Sequence, residues 1–539
     1  MSVAESQRPG TESGGPQRVG LLAETVGEAL RRQARDHGHR PAVLWEAGEV
    51  VRRLTYTELE ARAQAVAHLL GGAGLVVEDR VAVWGANCVE WVLLEYACAL
   101  RGLVLVPLNT AWTDEETAAA LDLAEPSMVF TGADGRGAPL RERAERLAGT
   151  CPVRPLAGLL ECPEASPTRV TVGPDAPFLM QFTSGTTGRA KGALLSHRSV
   201  LNAAHLRERR DPASGGVCLN SVPYHHIGGS LYVVLGALTG GGAFVVVDRF
   251  DADQTVRLLP LAGVTHLGGV PIMIERVLDR PGLAAAAGSV TTVALGGADI
   301  SPRLIDRVRD ELGATVLTTY GQSECPIITC STPGDDPVAL ATTAGRPVEA
   351  TEVRIIDPRT GGVAGPGETG EILVRSPLVM RGYHRAPQRT AEVLTGDGFL
   401  HTGDLGRLDA DGNLTIRGRI REVIIRGGEN IYPAEVEAAL ARHPAVTACA
   451  VVGVTDPSWG EVVGASVITA GQAVQAAELE TFLAERIAHF KVPRRWRFVE
   501  ELPMTAAGKI RRVQVKQEMN DQDPHDPDTP RDTAERRAR

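Results

Sequence analysis

The feature that most constrains this chain is an alternation of apolar helices with short buried strands. Thr57 to Glu60 (TELE) reads as a capping box that opens a helix, with Leu59, Ala63, Val66 and Leu70 on one face. Arg80 to Trp84 (RVAVW) reads as a buried strand, an apolar helix continues to Leu100, and the segment 103–107 is the next strand. The rhythm returns in VTTVALGG (290–297), a helix over 301–312, and ATVLTTYG (314–321). Such alternation predicts parallel sheets covered by helices, an α/β class.

After about residue 350 the texture changes to short strands separated by turn dipeptides, as in EVRIID, PRTGG, GEILVRS and DADGNLTIRGR with its Asp411–Gly412 turn. A second small unit begins near residue 420. It has a helix opening at Pro433, a strand around Ala448–Val454, a helix around 476–489 and a hairpin-like segment near Arg497–Lys509. The expected organisation is a large N-terminal domain (19–419) of parallel α/β sheets plus a small β-barrel-like subdomain. A small α+β C-terminal domain (420–519) follows, with a boundary near Arg419–Arg421. Residues 1–18 and 520–539 are polar, cannot repay the entropy of ordering, and are expected to be disordered. A length of 539 residues at about 150 per domain agrees with several domains, and 43% apolar residues suffice for a large core without staples.

The net charge is −10, from 56 Lys+Arg against 66 Asp+Glu, and no basic stripe is present. This argues against nucleic acid or an anionic membrane as the main partner. The eight cysteines are scattered without a CxxC pair and read as reduced thiols. The first residues lack a signal-peptide apolar stretch, and no run of about 18 apolar residues occurs, so a cytoplasmic protein without a membrane span is expected.

Phe182 to Gly192 reads FTSGTTGRAKG. Close backbone approach at Gly185 and Gly188, hydroxyls from Thr183, Ser184, Thr186 and Thr187, and the charge of Lys191 suit an anion such as phosphate. The other reading is a flexible turn with a solvated lysine. It is not a Walker A loop, because glycine follows Lys191 and the spacing is GxxGxxK. Gly365 to Gly370 (GPGETG) fits GxGxxG but leads into a strand, whereas the dinucleotide fingerprint follows a strand and opens a helix, so it reads as turns. Neither a GxSxG elbow nor an HExxH zinc motif occurs.

FTSGTTGRAKG is followed in order by GGADI (296–300), TTYGQSE (318–324), DGFLHTGDLG (397–406), GRIREVIIRGGENIYPAEVE (418–437) and ELPMTAAGKI (501–510). With these six motifs the chain, over about residues 20 to 515, resembles the adenylate-forming superfamily of acyl-CoA ligases, aryl-acid ligases and peptide-synthetase adenylation domains. The resemblance implies ATP-dependent activation of a small-molecule carboxylic acid as acyl-AMP with release of pyrophosphate, then transfer to coenzyme A. It implies that Thr183 to Lys191 closes over the β- and γ-phosphates, and that Gly296, Gly297 and Ala298 lie against adenine and the acyl group. Thr319, Tyr320, Gly321, Gln322 and Ser323 would join the nucleotide site, with Tyr320 stacking on adenine; the other reading of Tyr320 is a core aromatic at a strand end. Glu324, helped by Thr183, resembles the Mg2+ ligand. Asp404 and Arg419 would hold the ribose, although an acid after a Thr-Gly turn also suits a helix cap.

Lys509, read alone a solvated lysine, resembles the lysine that a mobile C-terminal domain inserts for the first half-reaction. There its ammonium would stabilise charge at the α-phosphate. Domain rotation about a hinge at Arg421 would then bring Gly427 and Gly428 to line a CoA tunnel. The 30 residues after Lys509 are too few for a carrier domain, so an in-line peptide-synthetase module is not expected. The alternatives are transfer to a nitrogen nucleophile, giving an amide or diazo product (with nitrite as a possible acid), or to a separate carrier protein.

SVPYHHIGG (221–229) is similar to a family stretch reading PxFHxxG. His226 takes the place of the histidine that gates the carboxylate site, and His225 replaces the usual aromatic. Gly229, Gly297 and Cys325 complete the expected acid pocket. A pocket-facing His225 would favour a polar or aromatic acid over a long alkyl chain; a hydrogen-bonded structural pair is the other reading. CPII after Glu324 is one residue shorter than the common form.

Overall fold

The computed structural model describes residues 20–48, 50–166, 170–183, 190–211, 213–298, 300–426, 429–469, 474–505 and 509–521. The segment 1–18 and nearly all of 520–539, expected to be disordered, lie outside the described residues.

Two mixed sheets dominate, each with a parallel centre. The larger has nine strands in the order Arg346–Pro347, Cys325–Cys330, Thr315–Gln322, Thr292–Gly296, His266–Gly269, Val217–Asn220, Ala243–Val246, Pro41–Ala47 and Val50–Thr55. Its pairs run parallel from Thr315–Gln322 to Pro41–Ala47, and antiparallel strands flank this centre. The second sheet has seven strands, with Arg80–Trp84, Val104–Pro107, Met128–Thr131, Val153–Pro155 and Pro177–Thr183 parallel, then Lys191–Ser196 and Gly382–Tyr383 added antiparallel. Parallel strands are covered on both faces and so must be apolar throughout, which is why RVAVW and its successors carry no polar alternation. The helix Val89–Arg101 is buried nearly all round and ends at Gly102, whose left-handed φ of 70° closes it.

Three helices begin with the same local device. Thr25 with Glu28, Thr55 with Glu58, and Thr113 with Glu116 form reciprocal capping boxes. The box expected at Thr57–Glu60 is therefore two residues early in the chain, at Thr55–Glu58, and the helix is Tyr56–Gly72. The expected apolar face is intact, with Leu59, Ala63, Val66 and Leu70 buried.

The turn-rich stretch forms an antiparallel four-stranded sheet in the order Glu352–Ile356, Gly370–Arg375, Leu400–Leu408, Leu414–Arg419. Among the described residues its outer strands do not pair, so the barrel-like subdomain is an open sheet. The C-terminal unit packs helices Pro433–Leu440 and Ala476–Ala484 on a five-stranded sheet, around Ile424, Leu440, Val451, Val463, Leu479 and Trp496. The expected terminal hairpin is different: Arg495–Phe498 adds to this sheet in parallel with Gly460–Thr469, and among the described residues of that segment only Met504 and Ile510 bridge antiparallel. None of the eight cysteines forms a disulfide. Among the described residues no helix is long and apolar enough to cross a membrane.

Candidate active site

Four neighbouring parallel strands of the nine-stranded sheet end in Asn220, Gly269, Gly296 and Gln322. Gly296, Gly297 and Ala298 follow the strand Thr292–Gly296 and leave an open surface. Next to it, Thr315–Gln322 turns through Ser323 and Glu324 into Cys325–Cys330. The pairing slips between Tyr320 and Gln322, and a Cβ on Gly321 would stand 2.1 Å from the Pro326 carbonyl oxygen. Only glycine fits the slip, and it sets Tyr320 and Glu324 on the same hairpin.

Tyr320 donates its hydroxyl to Asp404 Oδ2 at 2.7 Å, and Arg419 Nε lies 3.2 Å from Asp404 Oδ1. Asp404 and Arg419 face each other across the antiparallel pair Leu400–Leu408 and Leu414–Arg419, which fixes the ion pair by register. Burial, then the Asp404 charge, holds the Tyr320 phenol well above its ordinary value, so it is a donor and never a base here.

Lys509 belongs to the C-terminal unit, where Thr505 anchors it. Thr505 N–H donates to the Lys509 carbonyl at 2.7 Å, and Lys509 N–H donates to Thr505 Oγ1 at 3.0 Å. Gly297 has φ +80°, and a Cβ there would lie 3.8 Å from Lys509 Cε. Burial, then the Arg419 charge, lowers the ammonium pKa, and the Asp404 carboxylate opposes this. Lys509, Asp404, Arg419 and Gly297 thus converge on one place although they come from the C-terminal unit, the four-stranded sheet and the end of a nine-stranded-sheet strand.

His226 caps the short helix Ile227–Gly229, accepting from Gly228 N–H at Nδ1 (3.2 Å), which leaves Nε2 to carry the proton of the neutral ring. Burial, helped by the Lys509 charge, pushes its pKa down to about 3. Burial lowers His225 to about 4, and the His225 carbonyl accepts from Gln181 Nε2 at 2.9 Å. Both histidines are therefore neutral near pH 7. Gly229 is a glycine for its own loop, since a Cβ would stand 2.4 Å from the Pro223 carbonyl oxygen.

Glu324 is buried and accepts the Tyr383 hydroxyl at Oε1 (2.7 Å), and the Tyr383 ring faces the Lys191 ammonium at 4.9 Å. Tyr383 stands outside the six motifs; its one sequence signal is an aromatic after a glycine in a stretch without periodicity. Thr183 ends the strand Pro177–Thr183 directly opposite Lys191. Thr319 Oγ1 lies 3.7 Å from Cys330 Sγ, and Ser323 stands in the turn itself. Cys325 is buried, and its thiol donates to the Ile327 carbonyl at 3.5 Å. Arg421 is exposed on the turn Ile420–Glu422, between the four-stranded sheet and the C-terminal unit. Ser184, Gly185, Thr186, Thr187 and Gly188, like Gly427 and Gly428, lie outside the described residues.

The site suits a nucleotide with a hard cation. Gln322 Nε2 is buried without a partner among the described residues, a donor that a polar ligand would satisfy. Gly296 to Ala298 offer backbone without bulk, and the Glu324 carboxylate is a hard oxygen donor of the kind Mg2+ takes.

Comparison with known proteins agrees. The AMP-binding enzyme model matches residues 30–384, and the AMP-binding enzyme C-terminal domain model matches residues 435–509. The chain is 36% identical over 527 residues to 3-[(3aS,4S,7aS)-7a-methyl-1,5-dioxo-octahydro-1H-inden-4-yl]propanoyl:CoA ligase of Rhodococcus jostii (strain RHA1), covering 92% of this chain and 98% of that one. It is 36% identical over 472 residues to feruloyl-CoA synthase of an Amycolatopsis species, covering 86% and 93%. The ATP-bound crystal structure of MatB from Rhodopseudomonas palustris superposes with a TM-score of 0.84 at 31% identity, over 92% of this chain and 99% of that chain. The chain belongs to the AMP-binding enzyme family, among the acyl-CoA synthetases of the adenylate-forming superfamily.

Proposed function

We propose that the protein is an AMP-forming acid–CoA ligase: it joins a carboxylic acid to the α-phosphate of ATP, releases pyrophosphate, and passes the acyl group to the thiol of coenzyme A. The observation that carries this reading is the position of Lys509, brought from the C-terminal unit to Gly297 beside the Asp404–Arg419 pair. A compact ammonium there stabilises negative charge developing at the α-phosphate and attacking carboxylate. Asp404 and Arg419 hold the ribose, and Tyr320, already fixed by Asp404, offers its ring to adenine. Thr183 to Lys191 takes the β- and γ-phosphates, and Gln322 supplies a further donor. Bound Mg2+, held by Glu324 with Thr183, would neutralise phosphate charge.

His226, neutral with its hydrogen on Nε2, borders the acid's carboxylate as a hydrogen-bond donor. A neutral His225 offers a hydrogen bond and no charge, which supports an aromatic or polar neutral acid over a second carboxylate. For the thiol step we place the hinge at Arg421 and the CoA passage along Gly427 and Gly428. The absence of disulfides supports work in a reducing, cytoplasmic compartment.

A pyrophosphate-release screen over acids, carboxylic acids and nitrite alike, with and without CoA, tests this reading. The expected products are AMP, pyrophosphate and an acyl-CoA identified by mass spectrometry. A product formed only with an amine or a carrier protein would replace the acceptor. ADP and orthophosphate without AMP would overturn the chemistry.

A further inference from the structure

We propose that Tyr383 is a positioning residue that keeps the phosphate-side lysine, Lys191, and the metal-side carboxylate, Glu324, in one fixed geometry. The inference rests on the roles given to those two residues above. They come from different sheets: Lys191 begins a strand of the seven-stranded sheet, and Glu324 sits in the hairpin at the edge of the nine-stranded sheet. Nothing in their own strands sets the distance between them.

The segment from Met380 to His384 ties the two together. Met380 N–H donates to the Glu324 carbonyl at 2.7 Å. On its other side, Arg381 N–H donates to Leu194 O at 2.8 Å and His384 N–H donates to Gly192 O at 2.7 Å, with Gly382 and Tyr383 paired to Leu194 and Ala193. The backbone of this strap thus binds the Glu324 turn and the Lys191 strand at once, and the Tyr383 side chain repeats the connection. Its hydroxyl donates to Glu324 Oε1 and so leaves Oε2 the freer carboxylate oxygen, and its ring presents a π face to the Lys191 ammonium.

Tyr383 is itself held. Its N–H donates to Thr390 Oγ1 at 2.9 Å, and Gly382, at φ 143°, brings the backbone so close that a Cβ would stand 2.9 Å from Thr390 Cγ2. A tyrosine locked by its own neighbours and contacting both charged groups is the supporting shell that a metal–phosphate site needs.

The test uses the full-length protein and three variants, reading Mg2+ dependence at saturating acid and ATP. Tyr383→Phe keeps the ring over Lys191 and removes the hydroxyl; the Mg2+ concentration for half-maximal pyrophosphate release should rise about 10- to 100-fold, the usual loss when a supporting partner is removed. The KM for ATP at saturating Mg2+ should stay near the wild-type value. Tyr383→Leu should show the same Mg2+ shift and, in addition, a raised KM for ATP and weaker inhibition by pyrophosphate. Thr390→Ala, which loosens Tyr383 from behind, should shift Mg2+ dependence in the same direction by less, and it decides the matter if the Tyr383 variants do not fold. An unchanged Mg2+ half-saturation in every folded variant, with activity lost only through kcat, overturns the proposal. Wild-type formation of AMP is scored separately; if no acid yields AMP, the ligase reading fails, and Mg2+-dependent ATP binding by the same variants then judges Tyr383 alone.

Discussion

Glu95 is a carboxyl with no business in an apolar helix unless it is neutral. It lies in the middle of Val89–Arg101 with no exposed surface, and its recorded hydrogen bond is from Ser230 Oγ to Oε1 at 2.6 Å. Oε2 has no hydrogen-bond partner among the described residues. Burial raises its pKa from 4.5 to about 8, and the Ser230 hydrogen bond opposes this only in part. In the unfolded chain the group ionises at its ordinary value, so between the two values the unfolded state binds fewer protons. Stability from this group is therefore fully present below the ordinary value and is lost as pH rises towards the folded value. At about 1.4 kcal/mol per pH unit, the loss between about pH 5 and about pH 7.5 is about 3 kcal/mol. Glu95→Gln keeps an acceptor for Ser230 and cannot ionise, so it should escape that loss. Thermal unfolding of wild type and variant across this pH range should give melting curves that diverge with pH, the variant gaining ~4 °C for a lobe of this size. Parallel pH profiles, with a constant gap between the two proteins, would refute the assignment of a neutral buried carboxyl.

Three further outcomes follow from the site. Lys509→Ala should cut adenylate formation about 10²- to 10³-fold while leaving thiolysis of supplied acyl-adenylate largely intact, checked by assaying the half-reactions separately; equal loss in both would contradict domain exchange. Asp404→Asn removes the charge shared with Tyr320 and Arg419, and at about 1.5–3 kcal/mol for a charged hydrogen bond it should raise the KM for ATP at least ~10-fold in steady-state assays. Gly321→Ala forces the hairpin apart at the Pro326 carbonyl and displaces Tyr320 and Glu324 together, so kcat/KM should fall about 10²-fold without loss of the fold by circular dichroism.

The layered α/β core was legible because strands covered on both faces must be apolar along their whole length, and RVAVW is. Helix starts were legible in kind but not in place. Thr55 and Thr57 both have a glutamate three residues on, and only the folded chain, where Thr57 N–H is taken by the Gly38 carbonyl, selects Thr55. The last strand was misread because Arg495–Phe498 pairs in parallel with a strand distant in sequence, which no local turn signal records. Tyr320, Asp404, Arg419 and Lys509 stand in motifs whose order could be read, and the fold brings them together. Tyr383 was not legible: it meets Glu324 across 59 positions of sequence through a strap with no pattern of its own. Glu95 was hidden likewise, since an acid in the middle of an apolar helix reads as a solvent-facing residue until the packing removes the solvent.

The lysine lodged against Gly297 also sets a timetable. If the sulfur nucleophile enters by the way that ammonium occupies, as proposed above, the two cannot be present together, and turnover divides into two chambers of time with a retreat of the smaller lobe between them. Steady-state velocities at varied acid and varied thiol should then trace parallel reciprocal lines, and a saturated rate that falls with solvent viscosity would mark that retreat as the slowest event.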